Sequence, residues 1–314
     1  MNRKALIVSI KGTKLSHKEK ILLSKEKPWG IILFNRNLKS IKQINNLTDN
    51  IKKITKNSKF PILIDEEGCR VSRLKNIIDH NFSANLFGDI YKKDKNFFLK
   101  IYKYYLTSLC KLLKNLGINI NTIPVLDILK NNTNKIIGNR SFSKDKKIVK
   151  ELGKYTISIL NKNKIGSVIK HIPGHGSTSS DSHKVLPKIT LNRKIINKFD
   201  FYPFKETKSR FGMTAHIRYN SLDKKNVATF SKKIIKEIIR KKIGFKGILI
   251  SDDISMKALK YDLITNAKKS LEAGCNLVLY CSGNINDNFK LIKSLPYIDK
   301  FTAKKTSEFF KYLM

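Results

Sequence analysis

The sequence is poor in acidic residues and in cysteine, and it has no long apolar run. Only 24 of its 314 residues are Asp or Glu, against 64 Lys or Arg, so the formal net charge is +40. A membrane-spanning helix needs roughly 20 consecutive apolar residues, and no stretch approaches that length. The N-terminus has six apolar residues before Lys11, too few for a signal-peptide core. These absences predict a cytoplasmic protein that does not insert into a membrane.

The small number of cysteines excludes a disulfide framework. The four residues are Cys69, Cys110, Cys275 and Cys281. They lie far apart, except for one C-x5-C pair that fits no common metal-binding spacing. We therefore expect free thiols in a reducing compartment.

The excess of positive charge first suggests an anionic partner such as a nucleic acid. However, the charge is mostly Lys, it is spread over every predicted helix, and Asn and Ile are abundant as well. These three residues are favoured by A+T-rich codons, so compositional bias explains the charge better. No arginine-rich arm, aromatic RNA-binding signature or zinc-finger spacing is present, and we expect no specific nucleic-acid partner.

Eight short and nearly continuous apolar segments predict parallel strands that are buried on both faces. They cover residues 5–10, 30–34, 61–65, 118–126, 167–171, 212–216, 247–252 and 276–281. Segments with helical apolar spacing separate them, at 41–54, 97–116, 145–161, 231–243 and 264–273, and residues 297–314 form a last helix. This alternation is typical of one α/β domain over residues 1–314, a (β/α)8 TIM-type barrel. The alternative, a flavodoxin-like sheet, needs fewer strands.

Local signals agree with these boundaries. Ser231 stands where a helix cap is needed, and Gly244 and Gly274 stand where helices end and turn into the next strand. In a barrel of this type, functional residues cluster at the carboxyl ends of the strands. Polar residues do follow the strands there: Asp65-Glu66-Glu67, Asp127, Lys170-His171, His216 and Asp252-Asp253.

Residues 170–183 read K-H-I-P-G-H-G-S-T-S-S-D-S-H and contain three of the six histidines. Pro173-Gly174 and the small polar residues predict a loop. Within it, Asp181 is spaced to orient the imidazole of His183 for proton transfer, although that triplet alone favours a solvated surface loop. A metal site is the other alternative. It is weakened because His171 and His175 flank Pro173-Gly174 and therefore do not share a helix face.

Two adjacent carboxylates, Asp252 and Asp253, end the seventh predicted strand. Successive strand residues face opposite ways, so at most one of them is expected to point directly into the barrel mouth. The other is expected to cap a helix that starts at Ile254, an interpretation that suits Asp253 better than Asp252.

Taken together, these residues resemble the glycoside hydrolase family 3 β-N-acetylglucosaminidases, in their compact single-domain bacterial form that acts in peptidoglycan recycling. The matching motifs follow the family's order from about residue 32 to residue 256. They are I-D-E-E-G-C-R-V-S-R-L, P-V-L-D, I-G-N-R-S-F, K-H-I-P-G-H-G with D-S-H, M-T-A-H, and G-F-K-G-I-L-I-S-D-D-I-S-M. The pair formed by K-H-x-P-G-H-G…D-S-H and S-D-D-x-S-M is highly specific.

The resemblance implies a role for each matching position. Asp252 matches the nucleophile, and His183 matches the general acid/base with Asp181 as its partner. The residues that match the N-acetylglucosamine-binding positions are Asp65, Arg73, Arg140, Lys170 and His171. The implied reaction is a retaining double displacement through a covalent glycosyl-enzyme, without a metal or an organic cofactor. His175 is expected to shape the loop, and the tip that carries His183 is expected to be mobile.

One departure from the family is Cys69, since two glycines usually stand where this chain has Gly68-Cys69, and a side chain there can alter the turn. The expected partner is a small saccharide of the GlcNAc-anhydroMurNAc type, and the protein is expected to be a monomer. The alternatives are a family 3 phosphorylase, another β-glycosidase, or a basic nucleic-acid-binding protein on a decayed barrel.

Overall fold

Eight parallel strands close into a barrel in the computed structural model, which describes residues 2–130, 137–178 and 186–314. The barrel strands are β1 (Lys4–Val8), β2 (Pro28–Leu33), β3 (Ile62–Ile64), β4 (Ile120–Asn121), β5 (Gly166–Ile172), β7 (Phe211–Thr214), β9 (Ile248–Asp253) and β10 (Leu277–Leu279). They pair in chain order, and β10 pairs with β1 to close the ring. The predicted (β/α)8 barrel is confirmed.

The fourth predicted strand, 118–126, is longer than the regular ladder of β4. The chain beyond Asn121 still bonds to β5, because the N–H of Leu126 donates to the carbonyl of Lys170 at 2.8 Å. Pro124 lies in this stretch and has no N–H to donate. Regular pairing therefore stops early, although the segment keeps its course along the barrel.

Apolar side chains fill two layers. Residues inside the barrel, such as Trp29, Leu63 and Phe211, form one buried cluster. A larger cluster joins the outer face of the strands to the helices. Burying a large apolar side chain contributes about 1.5–3 kcal/mol, so strands that are apolar on both faces stabilise this architecture from both sides.

Helices surround the barrel. They are α1 (His17–Ile21), α2 (Ile41–Ile54), α3 (Ala84–Lys93), α4 (Lys95–Asn115), α5 (Lys146–Lys162), α6 (Arg193–Lys198), α7 (Leu263–Ala273), α8 (Ile285–Ser294) and α9 (Lys300–Tyr312), with π-helical segments at Leu22–Glu26 and Ile234–Lys242. The hydroxyl of Ser231 accepts from the N–H of Ile234 at 3.1 Å, and Gly244 and Gly274 have φ of +77° and +115°. The predicted cap and both glycine stops are therefore confirmed.

The sequence analysis did not identify α1, α3, α6, α8 or a two-stranded parallel sheet of β6 (Lys188–Ile189) and β8 (Arg218–Tyr219). Gly88 lies inside α3 and lowers its helix propensity. A Cβ at Gly88 would lie 1.7 Å from the carbonyl oxygen of Phe142, so close packing requires glycine there. In the described ranges, no helix combines the length and the apolarity that crossing a membrane requires.

Candidate active site

A cavity of about 170 Å³ opens at the carboxyl ends of the strands. Six of the predicted site residues line it: Asp65, Arg73, Arg140, Lys170, His171 and Asp252. The loops and strand ends that carry them are distant in sequence, and the closed barrel brings them together. The other two predicted residues, Asp181 and His183, lie outside the described residues, and so does the expected mobility of the His183 tip.

Asp65, just after β3, is held on both carboxylate oxygens. Its Oδ2 accepts from Nη2 of Arg73 at 3.1 Å, and its Oδ1 accepts from Nζ of Lys170 at 3.2 Å. The hydroxyl of Thr122 also donates to Oδ1. Burial alone would raise the pKa of Asp65, but Lys170 and Arg73 outweigh it and hold the pKa well below its ordinary value. The carboxylate is therefore charged and fixed in direction.

Glu67 forms the second half of the same network. Its carboxylate accepts two hydrogen bonds from Arg140, from Nε at 2.7 Å and from Nη2 at 2.9 Å, and a third from Lys170 at 2.6 Å. Burial opposes ionisation, but Arg140 and Lys170 lower the pKa of Glu67. Sequence reasoning placed Arg140 and Lys170 in the site and left Glu67 out, although the triplet Asp65-Glu66-Glu67 signalled its position.

Asp127, beyond β4, joins two histidines of the adjacent strand and loop. Its Oδ2 lies 2.7 Å from Nδ1 of His171, and its Oδ1 accepts from the N–H of His175 at 2.6 Å. Burial raises the pKa of Asp127, but His171 and His175 lower it below its ordinary value. A carboxylate on Nδ1 orients the His171 ring toward the cavity. Asp127 is a site residue that the sequence flagged only as polar at a strand end.

His175 is buried at the edge of the cavity, and the hydroxyl of Thr178 lies 3.0 Å from its Nδ1. Burial lowers the pKa of His175 to about 4 against the opposing influence of Asp127. The imidazole is therefore neutral near pH 7.

The two carboxylates at the end of β9 have different surroundings. Within the described residues, the Asp252 carboxylate accepts one hydrogen bond, from the N–H of Asp253 at 2.8 Å. The Asp253 carboxylate accepts from the hydroxyl of Ser255 at 2.7 Å and from the N–H of Cys281 at 3.3 Å. Burial raises the pKa of both, but His216 and His171 lower that of Asp252 below its ordinary value, whereas that of Asp253 stays raised.

Both residues border the cavity, and the register between β9 and β10 shifts between Leu277 and Leu279. One expectation about this pair was wrong. Asp253 caps no helix, since the chain after Ile254 is a turn and α7 begins at Leu263 with Asp262 as its cap.

His216 contacts the end of β9 and was not placed in the site by the sequence. Its Nδ1 is 2.7 Å from the hydroxyl of Thr229, and its Nε2 is 3.0 Å from the carbonyl oxygen of Asp253. A carbonyl can only accept, so Nε2 carries a proton. Burial lowers the pKa of His216, and the ring holds the end of β9 in place.

The remaining wall is apolar, with Phe34, Val71, Met213, Met256 and Leu279. A pocket with one charged wall and one apolar wall suits a ring that has hydroxyl groups on its edges and C–H groups on its faces. Across residues 2–130, 137–178 and 186–314, no group of three or more potential metal-ligating side chains is present.

Cys69 takes the left-handed conformation that its position requires, with φ of +43°, directly after Gly68 with φ of +95°. Non-glycine residues adopt this region at a cost. The turn keeps its course, and Arg73 still reaches Asp65.

Comparison with known proteins identifies relatives over nearly the whole chain. The glycosyl hydrolase family 3 N terminal domain matches residues 3–303. A β-hexosaminidase of Nitrosomonas eutropha is 33% identical over 307 residues, which covers 96% of this chain and 86% of the relative.

The solved structures agree. NagZ from Neisseria gonorrhoeae in complex with N-trifluoroacetyl-D-glucosamine superposes with a TM-score of 0.87 at 32% identity, covering 100% of this chain and 90% of that one. The same enzyme in complex with a zinc ion gives 0.83 at 31% identity, covering 98% and 90%.

Proposed function

The chain belongs to glycosyl hydrolase family 3 and is a glycoside hydrolase, and from this premise we propose that it is a retaining exo-β-N-acetylglucosaminidase. The observation that carries the proposal is the pocket itself. A fixed set of charged groups, centred on Asp65 and Lys170, faces Asp252, whose carboxylate keeps most of its accepting capacity. Such a wall can hold sugar hydroxyl and acetamido groups while the carboxylate attacks. The sugar-bound relative supports the choice of N-acetylglucosamine.

The reaction follows from these roles. The Asp252 carboxylate attacks the anomeric carbon and forms a glycosyl ester, while protonated His183 gives its proton to the departing oxygen. Neutral His183 then removes a proton from water, the water oxygen attacks the anomeric carbon, and the ester bond to Asp252 breaks. Asp181 orients the His183 ring in both steps. The lowered pKa of Asp252 keeps the nucleophile ionised at neutral pH.

Asp65, Arg73, Arg140, Lys170 and His171 bind the non-reducing sugar in this proposal. The substrate is an N-acetylglucosamine unit linked to the anhydromuramic acid of peptidoglycan fragments, and the enzyme acts as a cytoplasmic monomer without a metal, a cofactor or a nucleic-acid partner. The β-hexosaminidase relative, 33% identical over 307 residues, supports a hexosaminide as the substrate class.

The test compares hydrolysis of nitrophenyl β-N-acetylglucosaminide with hydrolysis of nitrophenyl β-glucoside. We expect a strong preference for the first, and a preference for the glucoside would refute the acetamido assignment. Product analysis with and without phosphate separates hydrolysis from phosphorolysis. Parallel assays with a chelator and with added zinc ask whether a metal takes part, and salt-sensitive DNA or RNA binding without hydrolysis would favour a nucleic-acid-binding protein.

A further inference from the structure

Glu66 stands between two residues of the pocket wall but does not line the cavity. Asp65 and Glu67 do, while Glu66 is fully buried. Consecutive residues of an extended chain point to opposite sides, so the Glu66 side chain is directed behind the wall. The proposed reaction gives this buried carboxylate no part.

The carboxylate gathers donors from the loop that follows it. Its Oε2 accepts from the hydroxyl of Ser72 at 3.1 Å, from the N–H of Arg73 at 2.8 Å and from the N–H of Leu74 at 3.0 Å. Its Oε1 lies 3.0 Å from Nε2 of His80. Hydrogen bonds to an ionised acceptor are stronger than those between neutral groups, so one side chain fixes a whole turn of the loop.

The other end of Glu66 is fixed to the barrel. Its N–H donates to Oδ1 of Asn121 at 3.0 Å, and its carbonyl oxygen accepts from Nδ2 of the same side chain at 2.9 Å. Asn121 belongs to β4. From residue 68 to residue 83 the described chain has no helix or regular strand, only a bridge between Gly68 and Val71. Glu66 therefore connects residues 72–74 of this loop to the barrel.

We propose that Glu66 is the positioning residue for Arg73 and thereby sets how tightly the enzyme binds its sugar. The inference rests on the proposed function, in which Arg73 binds that sugar. The guanidinium of Arg73 bonds to Asp65 at 3.1 Å and lies 5.1 Å from the centre of the Phe34 ring. Asp65 and Phe34 hold the head of the side chain, and Glu66 holds its backbone, so the guanidinium reaches the sugar only when both ends are fixed.

Two substitutions separate position from charge. Glu66→Gln keeps the length of the side chain and an oxygen that accepts from the loop, but it removes the charge. Glu66→Asp keeps the charge but withdraws the oxygens by one methylene. We expect Glu66→Asp to raise KM for nitrophenyl β-N-acetylglucosaminide about 10- to 100-fold with kcat within about threefold, because only binding is lost. We expect Glu66→Gln to raise KM less than Glu66→Asp does, because the amide oxygen stays in place to accept from the loop, although its hydrogen bonds are weaker than those of the carboxylate.

The Arg73→Ala background shows whether the effect passes through Arg73. The increase in KM from Glu66→Asp should largely vanish there, because coupled residues are not additive. A purely structural role would lower the melting temperature equally in both backgrounds and leave KM unchanged in folded protein. An unchanged KM in the folded variant would overturn the inference. So would an equal KM increase in both backgrounds, or a larger KM increase in Glu66→Gln than in Glu66→Asp.

Failure of the proposed function has a different signature. The wild type itself would then not cleave the N-acetylglucosaminide. In that case the same variants are assayed on whichever nitrophenyl β-glycoside the wild type cleaves, and the same KM pattern is expected, because the Glu66–Arg73 contact does not depend on which sugar is bound.

Discussion

The two sides of the pocket differ in whether their carboxylates form ion pairs. The charged wall, consisting of Asp65, Glu67, Arg73, Arg140 and Lys170, has every carboxylate paired with cations at 2.6–3.2 Å. Asp252, on the facing side, accepts one backbone hydrogen bond within the described part of the chain. Asp252 and most of the charged wall are alike half-buried, so the difference lies in pairing and not in exposure to water.

This difference follows from what each side has to do. A binding wall has to keep its shape, and buried pairs with several hydrogen bonds fix geometry well. A nucleophilic carboxylate loses its charge when it forms a bond, so tight pairing with a cation would oppose the reaction. The histidines and Lys170 near Asp252 lower its pKa without a direct salt bridge. The carboxylate is thus kept ionised and available.

Removing the available carboxylate should have the largest effect. We expect Asp252→Ala to lower kcat by at least about 10⁴-fold, as loss of a nucleophile does in other hydrolases, with little change in the melting temperature. Asp253→Asn is the matched control, since its carboxylate bonds to Ser255 and Cys281, and it should retain most of the turnover. Steady-state kinetics on a nitrophenyl substrate measure both, and near-full activity of Asp252→Ala would refute the assignment.

Breaking the charged wall should affect binding and stability together. Asp65→Asn removes the carboxylate that Lys170 and Arg73 share. Lys170 keeps its ion pair with Glu67, so we expect a loss of about 1–3 kcal/mol in the free energy of unfolding. We expect that loss in urea denaturation and a strongly raised KM. A variant with unchanged KM would show that the wall does not contact the sugar.

The lowered pKa of the buried His175 predicts a pH dependence of the free energy of unfolding. Its pKa falls from 6.5 to about 4 on folding, so the unfolded chain binds the extra proton between these values. The contribution of His175 to the free energy of unfolding is therefore fully present above about pH 6.5. It falls by up to about 3 kcal/mol as the pH falls toward 4. His175→Asn should flatten the dependence of unfolding free energy on pH in this window. An unchanged slope would mean that the folded imidazole titrates normally.

The smallest effect should come from a pair outside the pocket. Glu237 and Lys241 form an exposed ion pair at 3.0 Å on one helix face. We expect Glu237→Gln to change the free energy of unfolding by less than about 0.5 kcal/mol and to leave kcat and KM unaltered. A loss comparable to that of Asp65→Asn would show that pairing matters equally in both settings.

The fold was predictable because each strand and most helices carry their own signal. Residues 41–54 show apolar spacing along their whole length and form α2 at those limits. The segment that forms α3 contains Gly88, which packs closely against the backbone of Phe142. No local pattern reveals a partner more than fifty residues away.

The site was predictable in part for the same reason. Polar residues at strand ends, together with the family motifs, identified Asp65, Lys170 and Asp252. The sequence does not predict which carboxylates form ion pairs and which do not, because pairing depends on how the strands of the barrel are staggered. Glu67, Asp127 and His216 gain their contacts through residues 37 to 73 positions away in sequence, on neighbouring strands and loops. The roles of Asp181 and His183 stay predictions.

Closure of the barrel through β1 and β10, from opposite ends of the chain, has a consequence for how activity is acquired. Pairing two strands from opposite ends of the chain carries a large loop-closure entropy cost. Folds with many such long-range contacts form slowly. Until the last strand docks, β9 lacks one neighbour and Asp252 has no fixed position relative to Asp65. Nascent or truncated chains should therefore have no partial activity, and recovery of turnover during refolding should coincide with formation of the final strand pair.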